Sequence, residues 1–228
     1  SYVLMASIEQ CIAYMAGNNG EQVMKQYEER LLSLRKWIHD RKHIRLMTGE
    51  DDGGAAYDPS KLVLKAERFS GPELYSRLRE QYHIQPEMCT ETYVILMTSP
   101  ADTEEMYQRL KQALGELDYE TEKTHTESGG IVCGLDRSQP VALPVPRVMM
   151  TPANAMEQPM ETLPFSDCAG RISGEFLYLY PPGVPVAAPG EELTEEIIKI
   201  LKRYEENGLE INGPAEAGKL RVLKRRAG

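Results

Sequence analysis

Long apolar runs are missing from this chain: nowhere in its 228 residues is there the stretch of about 20 that a helix needs to cross a bilayer. The opening Ser1-Tyr2-Val3-Leu4-Met5-Ala6 lacks a basic segment and a cleavage pattern, so it does not read as a signal peptide. Both absences predict a cytoplasmic chain with no membrane partner. Positive charge is also in short supply, with 26 Lys and Arg against 35 Asp and Glu and a net charge of -9. Nucleic-acid binding needs clustered cations that displace counterions, so no nucleic-acid partner is predicted. The acidic balance speaks first of solubility, and it is compatible with a cationic small molecule.

Cysteine is sparse. Cys11, Cys89, Cys133 and Cys168 form no CxxC pair and stand at no metal-ligand spacing from a histidine, which predicts free thiols and no metal site. His39 and His43 are four apart, but Arg41 and Lys42 between them would repel a cation. The phosphate-binding, metalloprotease and serine-hydrolase fingerprints GxGxxG, Walker loop, HExxH and GxSxG are all absent.

What is present is mostly helical periodicity. Leu4, Met5, Ile8, Ile12 and Met15 mark a helix from Val3 to Ala16, stopped by Gly17-Asn18-Asn19-Gly20. Val23, Tyr27, Leu31, Leu34 and Ile38 predict a second helix from Glu21 to about Arg41. Lys61 to Leu64 reads as a short strand after the turn Asp58-Pro59-Ser60, and Gly71-Pro72-Glu73 opens a helix to about Tyr82. Tyr93 to Met97 is continuously apolar, which predicts a strand buried on both faces. Asp102, with Glu105 three residues on, reads as the cap of a helix carrying Met106, Leu110, Ala113, Leu114 and Leu117. The order of elements predicts an α/β layer of about 120 residues, a common domain size.

From Glu120 the periodicity fades, so residues 120–145 are predicted to be a linker. The segment after it, 146–228, holds a proline-rich stretch from Pro181 to Pro189 that reads as a stiff path. A helix from Thr194 to about Glu206 follows, capped by Thr194 and stopped by Asn207-Gly208. Leu220 to Leu223 is a closing strand.

Gly170-Arg171-Ile172, then Tyr180-Pro181-Pro182-Gly183-Val184-Pro185, then Pro189-Gly190-Glu191 resembles the C-terminal motifs of the ornithine/lysine/arginine decarboxylase family in order and spacing. Asp58-Pro59-Ser60-Lys61-Leu62 and Ile84-Gln85-Pro86-Glu87-Met88 resemble that family's small domain, and Ser1 to Ser7 resembles the segment after its cofactor lysine. The resemblance implies an α/β architecture: the end of a cofactor domain plus an aminotransferase-like small domain over 1–119, the linker, and a compact C-terminal decarboxylase domain over 146–228. It implies a pyridoxal-phosphate-dependent carbon–carbon lyase that acts on lysine, arginine or ornithine, makes polyamine-type amines and works as a homo-oligomer.

The family's cofactor lysine lies in a Ser-x-His-Lys motif, and no such motif occurs here; Lys42-His43 is the reverse order, predicted inside a helix. The resemblance therefore implies that this chain does not bind pyridoxal phosphate covalently, is inactive alone, and has a separate cofactor domain as its partner. It further implies that the first helix packs on that domain. A non-catalytic binding or assembly module, a split subunit or a remnant, is the alternative class. One site residue carries over. In the family, a glutamate in a Gly-Ile-x-x-Glu stretch pairs with the basic amino-acid substrate, and that position is Glu87 here, with His83 standing where the family has glycine. Glu191 reads as a charge near the N-terminus of the last helix and is given no substrate role.

Overall fold

The computed structural model describes residues 1–17, 19–48, 56–128, 143–180, 183–214, 216 and 218–225. In chain order the first elements are α1 (Tyr2–Ala16), α2 (Gly20–His39), β1 (Ile44–Leu46), β2 (Lys61–Ala66), α3 (Gly71–Tyr82), β3 (Met88–Cys89), β4 (Val94–Met97) and α4 (Glu104–Ser128). They are followed by α5 (Pro152–Met156), β5 (Met160–Pro164), β6 (Arg171–Ile172), β7 (Leu177–Leu179), β8 (Val184–Ala187), β9 (Glu192–Leu193), α6 (Glu195–Glu206), β10 (Ile211–Asn212) and β11 (Lys219–Leu223). The chain divides into two compact units. One comprises Ser1–Pro86 and Tyr93–Cys133, the other Glu87–Thr92 and Gly134–Gly228. None of the described helices is long and apolar enough to cross a membrane.

In the first unit, β2 pairs antiparallel with both β1 and β4, with Leu64 opposite Leu46 on one side and Val94 on the other. Leu62, Leu64 and Ala66 of β2 are buried, as are Val94 and Leu96 of β4, while Met97 is exposed. The continuous apolar run of β4 thus alternates in burial rather than being covered on both faces, because an antiparallel sheet needs only one covered face. Most of the expected stripe residues cover it, Tyr27, Leu31, Leu34 and Ile38 of α2 and Leu110, Ala113, Leu114 and Leu117 of α4, whereas Val23 is half-buried and Met106 is exposed; Leu74 and Leu78 of α3 are buried as well.

The helix ends follow local and long-range chemistry. A capping box opens α3: Ser70 Oγ accepts from the Glu73 amide, and the Glu73 carboxylate accepts from the Ser70 amide at 2.7 Å. Asp102 is not the cap of α4. Its carboxylate accepts from the Ser99 amide at 2.7 Å, and Thr103 Oγ1 accepts from the Met106 amide one position later. The C-terminus of α2 lies at His39, not Arg41, because the buried Asp118 carboxylate on α4 accepts from the His43 amide at 2.7 Å. Lys42-His43 is therefore outside the helix, and His43 Nδ1 sits 2.8 Å from the Glu67 carboxylate rather than beside His39.

The second half of α4 departs from the expected linker: Glu120 to Ser128 is helical. Arg68 and Arg77 both reach the Glu120 carboxylate, and the Thr121 side chain is buried, bonding back to the Leu117 carbonyl. Tertiary partners outweigh the weak periodicity. The remainder of the predicted linker from 129 to 142 lies outside the described residues.

The second unit is built from small antiparallel ladders around α6. β5 pairs with β11, β6 with β9, and β7 lies between β10 and β8. Their shared core is Phe165, Cys168, Leu177, Val186, Leu193, Ile197, Leu201, Tyr204, Leu220 and Val222. The proline-rich stretch is not a free connector. Pro185 sits in β8, opposite Tyr178 beside a register shift and on the edge of its sheet, where a missing amide donor is tolerated. Pro181 and Pro182 lie outside the described residues. α6 runs as expected, with Thr194 Oγ1 accepting from the Ile197 amide and Asn207 ending it.

Candidate functional site

The site begins where α3 ends. His83 closes that helix in the left-handed region, at φ 54 and ψ 37, and is the one non-glycine residue with positive φ among the described residues. The Ile84 amide then reaches back to the Leu78 carbonyl at 3.0 Å, so the turn has the geometry that glycine adopts without strain. Two residues later Pro86 is buried, and the chain leaves the first unit.

Residues Glu87 to Thr92 belong to the second unit, and specific contacts hold them there. Cys89 packs half-buried against the core around α6, and burial pushes its thiol up to about 11. The Glu91 carboxylate accepts from Arg203 Nε at 2.8 Å, from Arg203 Nη2 at 2.6 Å and from Asn207 Nδ2 at 3.1 Å. Glu87 itself is exposed on the bend that leads into β3. Among the described residues its carboxylate has no hydrogen-bond or ion-pair partner. An unpaired, solvated carboxylate can accept a charge-assisted bond from an incoming cation.

The other polar residues that the sequence singles out serve the fold. Glu191 does not act on α6: its carboxylate accepts from the Ala188 amide at 2.7 Å and locks the turn Ala188–Glu191. Within that turn Gly190 has φ +90, donates to the Ser173 carbonyl and accepts from the Met149 and Met150 amides. Arg171 is buried, ion-paired with Glu161, and donates to the Leu223 carbonyl at 2.6 Å. Glu175, also buried, accepts from both the amide and the guanidinium of Arg221. Sequence reasoning missed Glu91, Arg203 and Asn207. The i, i+4 spacing of Arg203 and Asn207 at the end of α6 marks a shared face, but their partner is 112 residues away from Arg203 in the chain.

No group of three or more metal-ligating side chains occurs among the described residues. A lysine that forms a Schiff base needs an enclosed setting that depresses its pKa. Every lysine among the described residues is at least partly exposed, and Lys42 is pushed the opposite way by its hydrogen bond to Glu122. These residues by themselves do not fit covalently held pyridoxal phosphate. A cleft of about 610 Å³ in the second unit is lined by Met150, Gly170, Arg171, Ile172, Lys224 and Arg225, and Glu87 does not line it.

Residues 137–214 match the family described as Orn/Lys/Arg decarboxylase, C-terminal domain. That stretch of the chain is similar to this domain. Two relatives named arginine decarboxylase match this chain over nearly its whole length. The protein from Bacillus subtilis (strain 168) is 29% identical over 235 residues, which cover 98% of this chain and 46% of the relative. The one from Halalkalibacterium halodurans is 30% identical over 234 residues, covering 98% of this chain and 45% of the relative. The chain therefore spans about half the length of the curated relatives it matches. Its fold is similar to the Escherichia coli constitutive lysine decarboxylase, with a TM-score of 0.71 at 19% identity over 98% of this chain and 44% of that one. It is also similar to the Francisella novicida lysine decarboxylase, with a TM-score of 0.72 at 18% identity over 98% and 43%.

Arg171 and Gly190 lie in the matched stretch, and the contacts of both are structural. Arg171 ties β6 to the end of β11, and Gly190 lets two backbone segments meet. At Arg171 and Gly190 the resemblance thus marks packing rather than chemistry.

Proposed function

We propose that this chain is the C-terminal part of a pyridoxal-phosphate-dependent decarboxylase of basic amino acids, releasing the amine of arginine, lysine or ornithine. The observation that carries this reading is the match to proteins named arginine decarboxylase along 98% of the chain, across both units. The first unit corresponds to the end of a cofactor domain and an aminotransferase-like small domain. Pyridoxal phosphate belongs to the complete enzyme and is held there by residues outside these 228. The complete enzyme is a cytoplasmic homo-oligomer, and this chain alone has no activity.

Within that assembly the contribution of this chain to substrate binding is Glu87. Its free carboxylate accepts from the distal ammonium or guanidinium of the substrate, a cation that keeps its charge while CO2 leaves. The pairing orients the substrate without taking part in bond breaking.

The test combines the purified chain with a separately produced cofactor domain and measures CO2 release from arginine, lysine and ornithine. Activity is expected from the mixture and from neither part. Borohydride treatment of this chain with pyridoxal phosphate is expected to modify no lysine stoichiometrically. A single lysine trapped in high yield, or CO2 release by the chain alone, would show that the cofactor site lies within it. A mixture inactive on all three substrates would favour a non-catalytic assembly module.

A further inference from the structure

We infer that Arg203 and Asn207 of α6 are positioning residues for Glu87, so that the C-terminal domain holds the substrate-facing carboxylate in place. The inference rests on the decarboxylase reading, and its structural part stands on the geometry of Glu87–Thr92. That six-residue segment is a component of the second unit, not of the unit that precedes and follows it in the chain. Two of its side chains fasten it there. Cys89 packs, half-buried, against the core that includes Ile197, Leu201 and Tyr204, and Glu91 is gripped by Nε and Nη2 of Arg203 and by the Asn207 side-chain amide.

Charge makes Arg203 decisive. Glu91 meets α6 at its C-terminal end, where the helix carries partial negative charge and repels a carboxylate. The Glu91 side chain is 13% exposed, so solvent does little to screen that repulsion. The Arg203 fork reverses the sign of the contact, and it is bidentate, which fixes direction as well as distance. Glu87 is four residues from this anchor, within roughly 13 Å along an extended chain. No contact of its own carboxylate holds it among the described residues. Its position is therefore set by the anchors at Cys89 and Glu91.

The experiment has two arms. In the 228-residue chain, hydrogen exchange of the peptide covering 87–92 is followed for Arg203→Ala, Arg203→Lys and Asn207→Ala. Loss of charge-assisted bonds of this kind accelerates exchange by about 10- to 100-fold in Arg203→Ala and by less in Arg203→Lys, which keeps the charge without the fork. The amides of α6 are expected to exchange as in the parent, which separates release of the segment from unfolding. Lys202→Ala, on the exposed face of α6, serves as the control.

In the active mixture, Arg203→Ala is expected to raise KM for the basic amino acid about tenfold with little change in kcat, to leave an analogue without the distal cation unaffected, and to be partly rescued by Arg203→Lys. Unchanged exchange at 87–92 would overturn the inference at its structural root. Faster exchange with equal effects on charged and uncharged substrates would reduce the contact to a packing role and overturn it too. An inactive parent mixture sinks the decarboxylase reading, and the positioning role falls with it. An active mixture whose Arg203→Ala variant keeps its KM sinks the positioning role alone.

Discussion

His83 closes α3 with a left-handed backbone, the conformation that glycine adopts without strain. Its φ of 54 lies in the region that costs an L-residue roughly 1–2 kcal/mol. Glycine removes that strain but adds chain entropy to the unfolded state, which offsets part of the gain. His83→Gly is therefore expected to stabilise the chain by about 0.5–1 kcal/mol in denaturant titration. A destabilised variant would mean that the imidazole makes a contact outweighing the strain. Four residues on, Glu87→Gln removes the negative charge while keeping the shape. In the active mixture it should lower kcat/KM for the basic amino acid by about 10- to 100-fold, mostly through KM, since the distal cation is present in both ground and transition states. An analogue without that cation should be indifferent to the change. Equal damage to both substrates would assign Glu87 a structural role, and no damage to either would leave it an ordinary exposed carboxylate.

At the scale of elements, periodicity was readable wherever one face of a helix is buried locally. The stripes of α2 and α4 and the cap and stop of α6 lie where their spacing puts them. What local pattern could not reveal was decided by distant partners: Asp118 fixing the turn after α2, Arg68 and Arg77 extending α4 through Glu120, and Arg203 drawing Glu91 out of the first unit. A motif draws attention to Glu87, whose role is proposed, whereas nothing local points to the Glu91–Arg203 contact, since an ion pair between residues 112 apart leaves no mark in spacing. The Pro189-Gly190-Glu191 turn shows a motif turning into a physical requirement. A Cβ on Gly190 would lie 2.4 Å from the Met150 carbonyl oxygen, at a backbone φ of +90 that side chains rarely adopt. Backbone strain and overpacking each cost about 1–3 kcal/mol, so Gly190→Ala is expected to destabilise the second unit by about 2–6 kcal/mol in denaturant titration. A variant as stable as the parent would show that the α5 side of the contact yields easily.

For the molecule as a whole, α1 is the element that its own unit does not account for. It has 15 residues and buries none of them. Tyr2, Val3, Leu4, Met5, Ile8, Ile12 and Tyr14 are all half exposed or more. An amphipathic surface helix keeps its apolar stripe inward and its charges outward. α1 has one charged residue, Glu9, and its apolar residues meet solvent on every side. Contiguous exposed apolar surface on this scale drives association in water. The chain covers 46% of the length of the Bacillus subtilis arginine decarboxylase, and the family resemblance implies that α1 packs on the cofactor domain. Two outcomes follow from that assignment. The isolated chain should self-associate with rising concentration in sedimentation velocity, and Ile8→Gln together with Ile12→Gln should shift it toward monomer. Addition of the cofactor domain should also dissolve the self-association, and the double variant should then bind that domain more weakly, because one surface serves both contacts. A parent chain that stays monomeric at high concentration would show that α1 is soluble as it stands. Self-association that persists beside a bound cofactor domain would place the sticky surface elsewhere.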